Sequence, residues 1–284
     1  MPELPEVETV RRHLAGWLPA AELVEATFAR PDLRYPMPIA AIRALHGGRC
    51  RAVRRRAKYL LIDLESGPDS TTPWTLVVHL GMSGRVSVDA SGPDGAGERH
   101  EHWRLRWQGP DGPFALRGVD PRRFGALLAF PTAGEAEHPL LAGLGPEPLG
   151  AGFSAAYLES ATRGRTTSLK AWLLDARSVA GVGNIYASEA CWRAALDPRR
   201  AAGSLTAPQC AALALAVRSV LEDAIAAGGT TLRDFASGDG SPGYFQQRLD
   251  AYGRTGEPCP RCAAPMMRIV QGQRATYLCT ACQD

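Results

Sequence analysis

The sequence predicts an α+β protein in which a strand-rich first half, flanked by helices, is followed by a helical second half and a metal-binding tail. Three observations carry this: short apolar stretches separated by turn clusters up to about residue 130, helical periodicity beyond residue 152, and two C-x2-C pairs near the end. The 284 residues suffice for two domains and an appendage, and 45% hydrophobic with 21% charged residues is an ordinary globular composition.

An amphipathic helix starts at once. Val7, Val10, Leu14 and Leu18 recur at three- and four-residue steps, and Pro5 suits a first-turn position. Strands are expected at 23–29, 59–64, 74–80, 85–88, 103–107, 114–116 and 126–130, with a second helix near 39–45. Turn clusters at 66–70 and 91–95 separate them, and residues 89–99 form a polar, Gly-rich loop expected to be disordered. Short strands with such turns indicate an antiparallel sandwich or barrel.

Between residues 131 and 152 the chain changes to Gly, Pro and acid, the expected domain boundary. Ser154 can cap a helix through Thr162, and another starts at Leu169. Thr206 and Gln209 have capping-box spacing before a long helix carrying Leu213, Val217, Val220 and Ile225, which stops at Gly228-Gly229. Gly181-Val182-Gly183-Asn184 breaks one helix and starts the next, leaving backbone N–H groups that suit a DNA phosphate. It equally suits a tight turn in which Asn184 only caps.

Net charge is +3 and identifies no partner, but Arg43 to Lys58 carries seven bases and no acid, whereas residues 134–160 carry four acids and no base. A basic stretch of that kind suits a solvated face or a phosphate backbone. No apolar run reaches membrane-spanning length, and the acidic N-terminus lacks signal-peptide character, so a cytoplasmic chain without membrane contact is expected.

The opening Met1-Pro2-Glu3-Leu4-Pro5-Glu6-Val7-Glu8 carries the candidate chemistry. Trimming of Met1 would leave Pro2 as a secondary amine with a reference pKa of about 8, further disfavoured as an ammonium by the helix N-terminus behind it. Such an amine attacks an aldehyde-like carbon to give an iminium ion, and Glu3 is placed to act as an acid opening a sugar ring. The other reading is a helix start with acids suited to the dipole. At the opposite end, Cys259, Cys262, Cys279 and Cys282, with sixteen residues between the pairs, place four thiolates around one tetrahedral zinc. With all four positions filled by protein, the metal is structural. Cys50, Cys191 and Cys210 read as buried small hydrophobes in a reducing compartment.

With both ends in hand, the sequence resembles the bacterial formamidopyrimidine-DNA glycosylases of the Fpg/Nei family, nearly end to end. The carriers are MPELPEVETVRR, RRRAKYLL, HLGMSGR, DPRRFG, LLDARSVAGVGNIYASEA, GGTTLRDF, GYFQQRLDAYGR and GQRATYLC with the closing cysteines. Leu4 favours this branch over the endonuclease VIII sister group, which usually has Gly there. Ala275 and Leu278 depart from the commoner ribbon residues. The resemblance implies a catalytic β-sandwich over 1–132, a linker at 133–152, a helix-two-turn-helix domain at 153–247 and a zinc finger at 248–284.

It further implies a monomeric, nucleoid-associated enzyme acting on double-stranded DNA, excising 8-oxoguanine and formamidopyrimidines and cutting the abasic strand by β,δ-elimination. The damaged base would be flipped into a pocket. By this resemblance Pro2 is the nucleophile, Glu3 assists ring opening and Glu6 supports them. Lys58, Asn184 and Arg274 hold phosphates, with His79 beside them, and Lys170 is linked to handling of 8-oxoguanine. Met82, Arg122 and Phe124 fill the void left by the base, Arg122 facing the orphaned cytosine. Residues 237–243 correspond to the loop covering the flipped base. A thymine-glycol-preferring relative and a non-catalytic zinc-dependent DNA binder are the rival readings.

Overall fold

The computed structural model describes residues 2–65, 71–90, 97–230 and 249–284. The turn clusters at 66–70 and 91–95, the base-covering loop at 237–243 and Met1 therefore fall outside the described residues. The chain divides into two compact units, 2–142 with 228–230 and 143–227 with 249–284.

In the first unit, helix α1 (Leu4–Leu14) precedes β1 (Glu22–Phe28), α2 (Ile39–Ala44), β2 (Cys50–Arg56), β3 (Tyr59–Leu64), β4 (Trp74–His79), β5 (Arg85–Asp89), β6 (Glu101–Gly109), β7 (Gly112–Val119) and β8 (Ala126–Pro131). The strands form two antiparallel sheets, β1-β6-β7-β5 and β2-β3-β4-β8. Leu23, Leu105, Trp107 and Leu116 of one sheet share a core with Leu60, Ile62, Leu76 and Val78 of the other, which resolves sandwich against barrel. Val7, Val10 and Leu14 of α1 enter the same core, each apolar side chain contributing about 1.5–3 kcal/mol by leaving water.

Strand β2 is an addition to the expected set, because four of its seven residues are arginines. Only Cys50 and Val53 turn fully inward. Arg54 pairs with Asp63 and Glu135, and Arg55 with Glu8, so acids distant in sequence neutralise part of the acid-free stretch. Arg49 and Arg51 remain exposed.

The second unit holds α3 (Ala155–Thr162), α4 (Leu169–Leu174), α5 (Asn184–Arg193) and α6 (Ala207–Ala226), then the hairpin of β9 (Met267–Gln271) and β10 (Arg274–Leu278). Ser154 Oγ accepts from Tyr157 N and Ser168 Oγ from Ala171 N, the hydroxyl caps that start α3 and α4. Thr206 and Gln209 close the capping box of α6. Gly272 and Gln273 both have positive φ (51° and 64°), the backbone of a tight two-residue hairpin turn. Among the described residues no helix is long and apolar enough to cross a membrane.

Candidate active site

Pro2 and Glu3 are buried immediately ahead of α1, and Glu3 is its N-cap in a capping box with Glu6. The Glu6 carboxylate, 1% exposed, collects three donors: Glu3 N at 2.7 Å on Oε2, and Thr230 N at 2.8 Å and Thr230 Oγ1 at 2.9 Å on Oε1. Because Glu3 N belongs to the Pro2–Glu3 peptide, this bond fixes the peptide plane next to the Pro2 ring. Gly229 has φ +84°, and a Cβ there would stand 3.1 Å from Glu6 Cγ, so the backbone approaches the carboxylate where a side chain would crowd it.

Glu6→Gln keeps the shape but replaces one acceptor by an NH2 group facing a donor. The expected loss is about 1–3 kcal/mol of stability, with slower strand scission. A urea midpoint and scission rate both equal to wild type would remove Glu6 from the site.

Lys58 is half-buried in the two-residue turn between β2 and β3, behind Ala57 at φ 52°. The next residue, Tyr59, sits in register with His79 at the end of β4, their rings 4.9 Å apart. His79 Nδ1 accepts from Gly81 N at 3.2 Å, which places the proton of the neutral ring on Nε2. Burial foremost, then the charges of Lys58 and Arg34, push the imidazole down to about 4, so at neutral pH His79 is an uncharged donor. An unfolded chain takes up that proton between about pH 6.5 and 4 while the folded one refuses it, so His79 destabilises the fold as pH falls through that window.

Met82 follows β4 and is half-buried, whereas Arg122 and Phe124 stand exposed on the loop before β8. Phe124 is 44% exposed, with the Arg122 guanidinium 4.9 Å from its ring centroid. A solvent-facing aromatic capped by a cation suits base stacking better than core packing. The first unit therefore gathers Pro2, Glu3, Glu6, Lys58, His79, Met82, Arg122 and Phe124.

In the second unit Asn184 opens α5, and the N-cap is Gly183, so the side chain is available for other work. Its Nδ2 donates to Ala275 O at 3.0 Å and to Tyr252 OH at 3.4 Å, while Oδ1 is buried without a hydrogen-bond partner among the described residues. Lys170, 1% exposed, donates to the same Ala275 carbonyl at 2.7 Å and to Thr276 Oγ1 at 2.9 Å. The lysine expected to handle the base thus has its ammonium inside the unit, on the ribbon strand that presents exposed Arg274.

Glu189, also buried, accepts the backbone N–H groups of Asp250, Ala251 and Tyr252 at 3.0, 2.9 and 2.7 Å, and so places the tyrosine that Asn184 touches. Its burial raises the carboxyl above its ordinary range despite those bonds. Thr230, Glu189 and Tyr252 lie inside the GGTT, ASEA and DAYGR blocks, but nothing in their spacing announces the partners they take.

The four cysteine sulfurs lie within 4.8 Å of one another, with Cys259–Cys282 at 3.9 Å and Cys262–Cys279 at 3.5 Å. A tetrahedron with Zn–S bonds of about 2.3 Å has edges of about 3.8 Å, so the set fits one structural zinc. Cys50 and Cys191, pushed up to about 12 by burial, are inert thiols.

Residues 1–127 match the formamidopyrimidine-DNA glycosylase N-terminal domain, 144–236 the formamidopyrimidine-DNA glycosylase H2TH domain, and 256–284 the zinc finger found in FPG and IleRS. The chain is 48% identical to formamidopyrimidine-DNA glycosylase of Thioalkalivibrio sulfidiphilus over 100% of both proteins. Among solved structures it is similar to the MutM (FPG) protein of Thermus thermophilus, with TM-score 0.84 and 39% identity, covering 99% of this chain and 98% of that one. It is also similar to a Lactococcus lactis FPG mutant in complex with Fapy-dG containing DNA, with TM-score 0.88 and 30% identity over 99% of each chain. A buried Pro2-Glu3 pair, an exposed Phe124 capped by Arg122 and a cluster of four cysteines thus coincide with full-length likeness: the chain belongs to the formamidopyrimidine-DNA glycosylase family.

Proposed function

We propose that this protein is a bifunctional DNA glycosylase and AP lyase of base excision repair, removing oxidised purines, 8-oxoguanine and formamidopyrimidines, from duplex DNA. The observation that carries the reading is the Pro2–Glu3 peptide pinned by Glu6 at the start of α1. The Pro2 nitrogen attacks C1′, and the departing base takes the electrons of the glycosidic bond. The nitrogen sheds its proton to the departing base, Glu3 protonates the ring oxygen, the sugar opens, and the freed nitrogen lone pair completes an iminium ion. Loss of a C2′ proton then expels the 3′ phosphate, and a second elimination expels the 5′ phosphate.

Lys58, His79, Asn184 and Arg274 hold the phosphates about the lesion, and Met82, Arg122 and Phe124 occupy the space the base leaves. The exposed Arg274 and the half-buried Lys58 support these roles, as does the proton on His79 Nε2. Lys170 contributes through the ribbon strand. Zinc, when bound, supplies structure and no chemistry. The enzyme is taken to work as a monomer on nucleoid DNA in the cytoplasm. The Fapy-dG complex of the Lactococcus lactis relative supports a purine lesion.

Borohydride is expected to trap the protein, trimmed of Met1, covalently on duplex carrying 8-oxoguanine, and excision is expected to favour 8-oxoguanine over thymine glycol. A preference for thymine glycol would overturn the substrate, and no adduct at all would leave a DNA-binding protein.

A further inference from the structure

The two loops that present Met82 and the Arg122–Phe124 pair share one buried anchor. Asp120 is 4% exposed, and its Oδ1 accepts from Ser83 Oγ at 2.9 Å and from Arg122 N at 3.3 Å, while Oδ2 accepts from Gly125 N at 2.8 Å. Ser83 Oγ in turn accepts from Arg122 N at 3.3 Å. The Asp120 carbonyl accepts from Arg123 N and faces His102 Nε2 at 2.9 Å, tying the loop base to β6. One carboxylate thus links residue 83 of the first loop to residues 122 and 125 of the second.

The loops also meet backbone to backbone. A Cβ on Gly81, which has φ +65°, would lie 2.5 Å from both Phe124 C and Gly125 N. One on Gly125 would lie 2.7 Å from His79 O. With no side chain between them, neither loop can slide without breaking the Asp120 bonds.

We propose that Ser83 and Asp120 are positioning residues that make Met82, Arg122 and Phe124 enter the duplex as one rigid wedge, and that this coupling sets discrimination of the base opposite the lesion. The inference rests on the proposed function. A guanidinium recognises the orphaned cytosine only if its fixed fork of donors meets that base's acceptors. The register of Arg122 is set by its own N–H, held jointly by Ser83 and Asp120, and by Phe124 beneath its guanidinium. Freeing the first loop from the second lets the three side chains insert separately, and a displacement of about 1 Å can cost about 10²-fold where geometry decides the outcome.

The test compares kcat/KM for 8-oxoguanine opposite cytosine and opposite adenine in wild type and Ser83→Ala. The cytosine-to-adenine ratio is expected to fall about tenfold or more in the variant. Met82→Ala and Phe124→Ala, non-additive in the wild-type background, are expected to become additive within about twofold when Ser83 is alanine. Asp120→Asn, which keeps shape and one acceptor, must move the ratio the same way and serves if Ser83→Ala folds poorly. A variant of lower overall activity but unchanged ratio overturns the positioning role, because mere destabilisation lowers both substrates alike. A wild type that excises neither lesion pair overturns the proposed function instead.

Discussion

Replacing Pro2 by glycine is expected to reduce strand scission and borohydride-trapped adduct by roughly a hundredfold or more, the scale on which loss of a directly participating group is felt. Glycine offers a primary amine in place of a secondary one, and it releases the φ that the pyrrolidine ring holds near −65°. The bond from Glu3 N to Glu6 Oε2 still fixes the following peptide, so the helix start survives. Binding of lesion duplex is expected to stay within about threefold, since the phosphate neutralisation proposed for Lys58 and Arg274 does not pass through the amine. Anisotropy with lesion duplex beside a single-turnover scission assay reads both quantities; affinity falling in step with scission would make Pro2 a structural residue. Intact mass must accompany the assay, because a retained Met1 acylates the nitrogen and mimics the variant.

The asymmetry between amine and grip explains which parts of the molecule are legible in the sequence. Strand β3 and helix α3 lie where expected because a short apolar run and a hydroxyl cap are local signals. Strand β2 carries no such signal, since its arginines take their acids from β3, from Glu135 and from α1, which no window of β2 contains. The same division holds at the site. The Pro-Glu terminus and the cysteine pairs are contiguous chemistry, legible as such. Thr230 meets Glu6 across 224 positions, and Glu189 captures three backbone N–H groups about sixty positions away. Only folding brings those donors to their carboxylates. Lys170 is the instructive case: its motif is legible, but its burial against Thr276 depends on where the ribbon strand settles.

That dependence makes the zinc ligands the second point of large effect. Cys279→Ser is expected to abolish stoichiometric zinc, because a serine hydroxyl stays protonated where the metal requires an anion, and structural zinc in comparable peptides supplies about 10–16 kcal/mol of folding energy. Cys279 is buried directly after β10, in a core with Trp192, Ala251, Cys259 and Met266. Unfolding of the ribbon would withdraw the Ala275 carbonyl from both Lys170 and Asn184, leaving a buried ammonium and a buried amide without that acceptor. The damage therefore spreads into the start of α5 as well as displacing Arg274, the residue proposed to hold a phosphate. Lesion-duplex affinity is expected to drop at least tenfold, with a dependence on salt shallower by about one unit of slope for each phosphate no longer neutralised. Metal content by atomic absorption and a salt titration of binding check the two halves of this chain of effects. A variant that has lost its zinc yet binds with wild-type affinity and salt slope would show that Arg274 is held in place without the metal, by contacts such as those of Lys170 and Asn184 with the Ala275 carbonyl and of Gln283 with the Leu196 carbonyl.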